Sequence, residues 1–430
     1  MARPNMSVAG SLLSGVVAAA LLVSACASPS TQSTPQPTAA PVTRAAAANP
    51  ANPAGGLNQN IAVVGPPTEP RPPAQGQPIP IGMALALTGY LAGTDTPIGD
   101  GAKMAAEEIN QTGGVLGRPL ELDISDMASA PTAGVNVTNQ LLNQKDVAVM
   151  ANGSTSAATQ AVAPINAASQ VPMLVTSILP KDPTWAFSLL PPPRYLADIE
   201  VSFAANTLKA KSVAILYSQT PYGQLVSQLM ARRAAELGLS VTEVTAIDAT
   251  ATDVSPQLAR IKDARAEAIV DVLTGPIHLV LVKSALGLGL DIPLVMAQDD
   301  LSILKQASDL YPNVHFAAIS TQVYPDVPNP AQKEADGRFL DRWTQTHGGD
   351  VRGSDQGGRG YDMIYIIAQA MEASRVTTGE KVRAALEQMQ PLQGVSALYH
   401  FTPDDHNGMD NPFFLARYAG GTVQVEFTPS

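Results

Sequence analysis

One cysteine in 430 residues excludes an intrachain disulfide, a CxxC redox pair and a cysteine-built zinc site. Aromatic residues make up only 5% and charged residues 15%, against 45% hydrophobic. That mixture excludes a wholly disordered chain, and a mean hydropathy near zero excludes a polytopic membrane protein. Cations are outnumbered, 26 Lys and Arg facing 37 Asp and Glu for a net charge of −11. Non-specific nucleic-acid binding relies on clustered Lys and Arg, so no nucleic-acid partner is expected. Residues 1–76 hold three arginines and one glutamate, which leaves −13 for the remainder. The histidines, His278, His315, His347, His400 and His406, form no pair at ligand spacing, so neither a metal nor a cofactor is predicted. Gly287-Leu288-Gly289 lacks a third glycine in register, and there is no GxSxG or P-loop. No enzyme is expected.

What is present begins at the amino terminus. Arg3 precedes a small-residue apolar run, Val8 to Leu22, which ends in Val23-Ser24-Ala25-Cys26. This is the layout of a secretory signal, and it is short for a membrane span. The tetrapeptide resembles the lipobox of bacterial lipoproteins, which implies cleavage before Cys26 and diacylation of its thiol. A plain secretory signal with an incidental cysteine is the alternative. Residues 1–25 are read as the signal and 26–76 as the anchored cysteine and a disordered tether. Ala27 to Gly76 carries eleven prolines among Ala, Thr, Ser, Gln and Asn, too little apolar bulk to offset the entropy of ordering. A flexible coil of that length spans about 40 Å root-mean-square. Ile61-Ala62-Val63-Val64 is its one apolar patch and could dock on the domain that follows.

From residue 79 short apolar runs alternate with helical spacing. Ile81–Leu87, Val147–Met150, Val213–Leu216, Ala268–Leu273 and Leu294–Met296 are among the runs; Ala102/Ala106/Ile109 and Val254/Leu258/Ile261 are among the amphipathic sets. Such alternation predicts an α/β fold of βαβ units, parallel sheets flanked by helices. The number of runs exceeds what one open sheet usually holds, so two lobes are expected.

The first unit runs Ile81-Gly82-Met83-Ala84-Leu85-Ala86-Leu87-Thr88-Gly89, then Gly101 to Glu107-Glu108-Ile109-Asn110, then Gly113-Gly114-Val115-Leu116-Gly117-Arg118-Pro119-Leu120. Gly153-Ser154-Thr155-Ser156, Pro221-Tyr222-Gly223, Leu288-Gly289-Leu290-Asp291-Ile292-Pro293 and Gly360-Tyr361-Asp362 follow in order. This succession resembles the leucine/isoleucine/valine-type (branched-chain amino acid) periplasmic substrate-binding proteins of ABC importers, in lipoprotein form. The resemblance implies a two-lobed type I periplasmic-binding-protein fold with three hinge crossings, near residues 197, 323 and 396. The lobes are then 77–197 plus 324–396 and 198–323 plus 397–430. It also implies a small amino acid-like ligand, importer permease subunits as partners, and an extracytoplasmic place at a bacterial membrane. A ligand-sensing receptor or scaffold on the same fold is the rival reading.

Ser154, Thr155 and Ser156 stand where a strand turns into a helix, so hydroxyls and first-turn N–H groups make a small anion site; simple helix capping is the plainer reading. In the resembled family this position holds the ligand carboxylate, and Ser156 is the residue that aligns. Tyr222 aligns with a tyrosine that faces the ligand from the second lobe. Thr176 and Ser177 offer hydroxyls to a polar ligand or ordinary strand-end polarity. Thr274 stands in a loop that usually bears an aromatic. Gln298 or Asp299 falls where relatives place the acid that pairs with a ligand ammonium, although Asp299 could instead cap the helix from Leu301. The aromatic of the first loop aligns with Thr94.

Overall fold

The computed structural model describes residues 61–66, 71–349 and 351–428. The signal, Cys26 and the tether up to residue 60 lie outside the described residues. In chain order the first lobe holds β1 (Ala62–Val63), β2 (Ile79–Leu85), α1 (Ala92–Gln111), β3 (Leu120–Asp126), α2 (Pro131–Gln144), β4 (Val149–Asn152), α3 (Ser156–Ser169), β5 (Met173–Val175) and β6 (Ala186–Ser188). The second continues with α4 (Pro193–Asn206), β7 (Ser212–Ser218), α5 (Pro221–Glu236), β8 (Ser240–Ile247), α6 (Ser255–Asp263), β9 (Ala268–Val272), α7 (Ile277–Gly287), β10 (Leu294–Met296), α8 (Leu301–Leu310) and β11 (Val314–Ala318). After α9 (Ser320–Val323) the chain returns to the first lobe with α10 (Pro330–Thr346), α11 (Ser354–Ser374), α12 (Gly379–Glu387), β12 (Leu392–Gln393) and β13 (Leu398–Tyr399). It ends on the second with β14 (Phe414–Ala419) and β15 (Thr422–Phe427).

The first lobe's sheet has the order β3-β2-β4-β5-β6, every pairing parallel. The second has the order β15-β14-β11-β10-β9-β7-β8, parallel from β8 to β11 and closed by the antiparallel pair β14 and β15. Strands covered by helices on both faces read as unbroken apolar runs. Six of the seven residues of β2 are buried, as are all of β9 and β11. The α/β expectation is met.

Docking of the Ile61–Val64 patch takes a definite form. Ala62 and Val63 pair in parallel with Leu392 and Gln393 of β12, and the Val64 N–H donates to the Gln393 carbonyl at 2.8 Å. Residues 61–66, within the segment read as tether, thus have a defined place on the first lobe.

The passages between lobes follow from which core each side chain enters. Leu189 packs in the first core, whereas Leu196, Ile199 and Phe203 of α4 pack in the second, so the first passage precedes α4 instead of falling at 197. Val327 belongs to the second core and Ala335 to the first, which puts the next passage a few residues beyond 323. The third differs most. Tyr399, Phe401 and Met409 fill the first core, with the Phe401 ring 5.4 Å from that of Phe187, and Phe413 is the first to enter the second. The expected boundary at 396 moves to the segment between Met409 and Phe413, because β13 pairs with β12 and carries these rings with it.

Helices α1 and α11 cross at their backbones. A Cβ on Gly101 would run into the Gly357 carbonyl, and one on Gly360 into the Ile98 carbonyl. The motif Gly360-Tyr361-Asp362 lies within α11, which starts at Ser354. Each residue has a packing task there. The buried Asp362 carboxylate accepts from the Val395 N–H (2.6 Å), the Ser396 N–H (2.8 Å) and the Tyr399 hydroxyl (3.1 Å), and the Tyr361 hydroxyl donates to Glu108 at 2.5 Å.

Candidate functional site

Ligands of open α/β sheets bind beyond the carboxyl ends of the strands, where the loops to the following helices gather. The parallel strands of both sheets turn those ends toward one cavity of about 250 Å³. Tyr90 and Leu91 come from the loop after β2 and Thr94 from the start of α1, Ser154, Ser156 and Ala157 from the turn of β4 into α3, Thr176 from just after β5, and Leu190 and Pro191 from just after β6. The other lobe adds Ser218 to Tyr222 after β7, Ala249 after β8, Val272 to Thr274 after β9, and Ala297 and Gln298 after β10. Leu196 of α4, Gln356 and Arg359 of α11, and Phe413 complete the lining.

The polar edge on the first lobe is built from a buried acid outward. Asp95 on α1 is fully buried; its Oδ2 accepts from the Ala86 N–H at 2.7 Å, and its Oδ1 from the Ser154 N–H at 3.0 Å and the Ser154 hydroxyl at 2.5 Å. Burial raises its pKa, and the Ser154 and Ala86 hydrogen bonds pull the other way. The loop passes so near that a Cβ on Gly153 would overlap this carboxylate, which fixes glycine there. With Ser154 thus committed, Ser156 at the start of α3 faces the cavity beside the first-turn N–H groups that no helical carbonyl reaches. The Thr176 hydroxyl, 2% exposed, also lines the cavity and has no hydrogen-bond partner among the described residues.

On the opposite wall Thr220 caps α5 by accepting the Gly223 N–H at 3.0 Å, and this places the Tyr222 ring at the cavity. Burial raises the pKa of its hydroxyl, so it stays protonated and can donate. Gln298 ties the lobes together: its Nε2 donates to Asp355 at 2.5 Å, and its Oε1 accepts from Arg359 at 3.0 Å. Burial pushes Asp355 up to about 6 against the pull of Arg359.

Comparison with known proteins agrees with this geometry. A family model described as periplasmic binding protein matches residues 78–422. The chain belongs to the periplasmic binding protein family. It resembles the leucine-, isoleucine-, valine-, threonine- and alanine-binding protein of Pseudomonas aeruginosa, 26% identical over 218 residues, 49% of this chain and 58% of that one. Leu/Ile/Val-binding protein homolog 3 of Brucella melitensis is 24% identical over 196 residues, 44% of this chain and 53% of the relative. The binding protein thus spans little more than half the length of these curated relatives. Among solved structures, a type 1 periplasmic binding protein from Bordetella pertussis superposes with a TM-score of 0.74 at 21% identity, over 82% of this chain and all of that one. The branched-chain amino acid transporter substrate binding protein LivJ from Streptococcus pneumoniae, solved with isoleucine, gives 0.69 at 22%, over 82% and 99%. These last two likenesses carry the fold, a type I periplasmic binding protein. The named relatives are binding proteins. Its family places it outside the cytoplasm.

Of the residues singled out in sequence, Ser154, Ser156, Thr176, Tyr222, Thr274 and Gln298 line the cavity. Thr155, Ser177 and Asp299 do not. Thr155 faces a small internal space beside Asn152 and Thr159, and Ser177 shares a 2.6 Å hydrogen bond with Thr159. Asp299 is the main correction. Its Oδ2 accepts from the Gly275 N–H at 2.5 Å and meets His278 Nδ1 at 2.7 Å, while its Oδ1 accepts the Asp300 N–H at 2.8 Å. Burial opposes a charge on His278, yet Asp271 and Asp299 on either side outweigh it and hold its pKa at about 10. Asp299 is therefore spent on an internal ion pair, and the cap of α8 is Asp300, which accepts the Ser302 N–H at 2.8 Å. Tyr90, Gln356, Arg359 and Phe413 join the site without a sequence signal of their own. Tyr90, 53% exposed, supplies the first-loop aromatic four residues before the aligned Thr94.

Proposed function

We propose that this protein is the solute-binding lipoprotein of an ABC importer and that it captures a small carboxylate in the cleft between its lobes. One observation carries the reading: a single cavity brings the α3 N-terminus with Ser156 and Thr176 from one lobe against Tyr222 and Thr274 from the other. A carboxylate at the helix end takes N–H and hydroxyl donors and gains from the helix dipole. Closure of the second lobe removes the ligand from water, and a ligand drives closure by binding the closed form more tightly. Similarity to an amino acid binding protein of Pseudomonas aeruginosa and to the transporter substrate binding protein LivJ supports importer work and a carboxylate cargo. The lipobox-like Val23-Ser24-Ala25-Cys26 supports a lipid anchor that keeps the protein beside the permease subunits.

Thermal shift of the full-length protein against amino acids and small carboxylates tests the cargo. A ligand at 100 times its dissociation constant adds about 2.7 kcal/mol of stability. The expected result is a rise in Tm with one carboxylate class that Ser156→Ala removes; silence across carboxylates contradicts the reading. Cys26→Ala should move the protein from the membrane fraction to the soluble fraction, and retention at the membrane would refute the anchor.

A further inference from the structure

Arg359 projects from α11 into the cleft, 5% exposed. Its Nη1 donates to Gln356 Oε1 at 2.9 Å and its Nη2 to Gln298 Oε1 at 3.0 Å, and its Nε has no partner among the described residues. No carboxylate of the described residues forms an ion pair with it. Asp355, one turn earlier, spends its Oδ2 on the side-chain amides of Gln298 and Gln356. A guanidinium does not deprotonate in a protein, so a full positive charge stands at the cavity, hydrogen-bonded to neutral amides, with Asp355 acting on it only from beyond the Gln298 amide. Burying such a charge without an anion in contact is costly, a cost that an incoming anion relieves.

Of the acids near the cavity, Glu200 lies buried outside the lining, where its charge is felt by Tyr222, and the others are turned away. No Asp, Glu or Lys is among the described residues that line it. Asp95 holds Ala86 and Ser154, Asp299 holds His278, and Asp300 accepts from the Ser302 and Gly353 N–H groups. A ligand ammonium would lose its hydration, meet no carboxylate and face Arg359. Apolar side chains, Leu91, Leu190, Leu196, Val272 and Phe413 among them, share the walls with neutral hydroxyls and amides.

We infer that the cleft selects a carboxylic acid that lacks an ammonium group, with Arg359 as its countercharge and an apolar body against those walls. The inference rests on the carboxylate reading above and narrows it. It sets this cleft apart from one built for a zwitterion, where an acid would have to face the ammonium.

Calorimetric titration of the full-length protein with matched probes tests it: 4-methylpentanoate against leucine, and 3-phenylpropanoate against phenylalanine. At least one acid should bind about tenfold or more tightly than its amino acid, since the added ammonium brings an unpaired buried charge. Arg359→Gln should weaken that acid by about tenfold or more, as loss of a charge-assisted contact does. Arg359→Lys, which keeps the charge and loses the fork, should fall between them. Both variants keep a long polar side chain, and their unliganded Tm values report whether they fold. Amino acids binding as tightly as the acids, or acids binding Arg359→Gln unchanged, would overturn the inference and leave the carboxylate cleft standing. Failure of both acids also overturns it. If the wider carboxylate screen is silent too, the cleft reading itself falls.

Discussion

Gly360→Ala should lower the folding stability by about 2 kcal/mol, even though alanine is the better helix former by up to about 1 kcal/mol. The added Cβ would strike the Ile98 carbonyl of α1. A backbone oxygen inside a helix cannot rotate aside as a side chain can, so α1 and α11 must part along a seam that carries much of the first core. Gly93→Ala supplies the opposite case. Gly93 lies in α1 with nothing within 4 Å of the place its methyl would take, so the same substitution there should be neutral or stabilising by a few tenths of a kcal/mol, less than the about 1 kcal/mol of a mid-helix site. Urea denaturation of the three proteins measures both. Equal stability of Gly360→Ala and the parent would mean that the helices are not in backbone contact.

Asp95→Ala should cost more, about 3–5 kcal/mol, because it strands two buried N–H donors and one hydroxyl at about 1–3 kcal/mol for each unsatisfied group. The cost reaches the site as well. Asp95 holds the Ser154 N–H and hydroxyl, and that loop sets where Ser156 and the α3 N–H groups point. Solute affinity should therefore fall about tenfold or more, an amount that corresponds to about 1.4 kcal/mol or above. Asp95→Asn keeps the shape but turns one acceptor into a donor facing donors, and should fall between. Denaturation and calorimetry on the same samples separate the two effects. Parental stability and affinity in Asp95→Ala would remove the acid from its assigned place under the site.

The sheets are legible in sequence because strands buried on both faces cannot hide their apolar runs, and β2, β7 and β9 all overlap the predicted runs. The closing hairpin β14–β15 is less so. Its exposed outer strand, Thr-Val-Gln-Val-Glu-Phe, alternates instead of running apolar, and its pairing partner β11 is far away in sequence. Ser154, Ser156 and Tyr222 are legible because a hydroxyl cluster or aromatic at a strand-to-helix turn reaches the cleft whatever the distant packing. Asp299 misleads for the converse reason: its position at a strand end is local, but the direction of its carboxylate is set by His278, on another helix. Arg359 escapes a sequence reading because it sits between glycines, in Gly358-Arg359-Gly360, within a helix that contributes no strand-end loop. Only the crossing of α11 over α1 brings it to the cavity.

Everything proposed for the cleft between the sheets depends on a carboxylate held at the start of α3. A crystal structure of the full-length protein with the acid that most raises its Tm would decide the matter. The carboxylate should lie within hydrogen-bond reach of the Ser156 hydroxyl and the α3 N–H groups, with the rest of the molecule between Tyr222 and Phe413. A solute bound outside this cavity, or one whose carboxylate points away from α3, would contradict it.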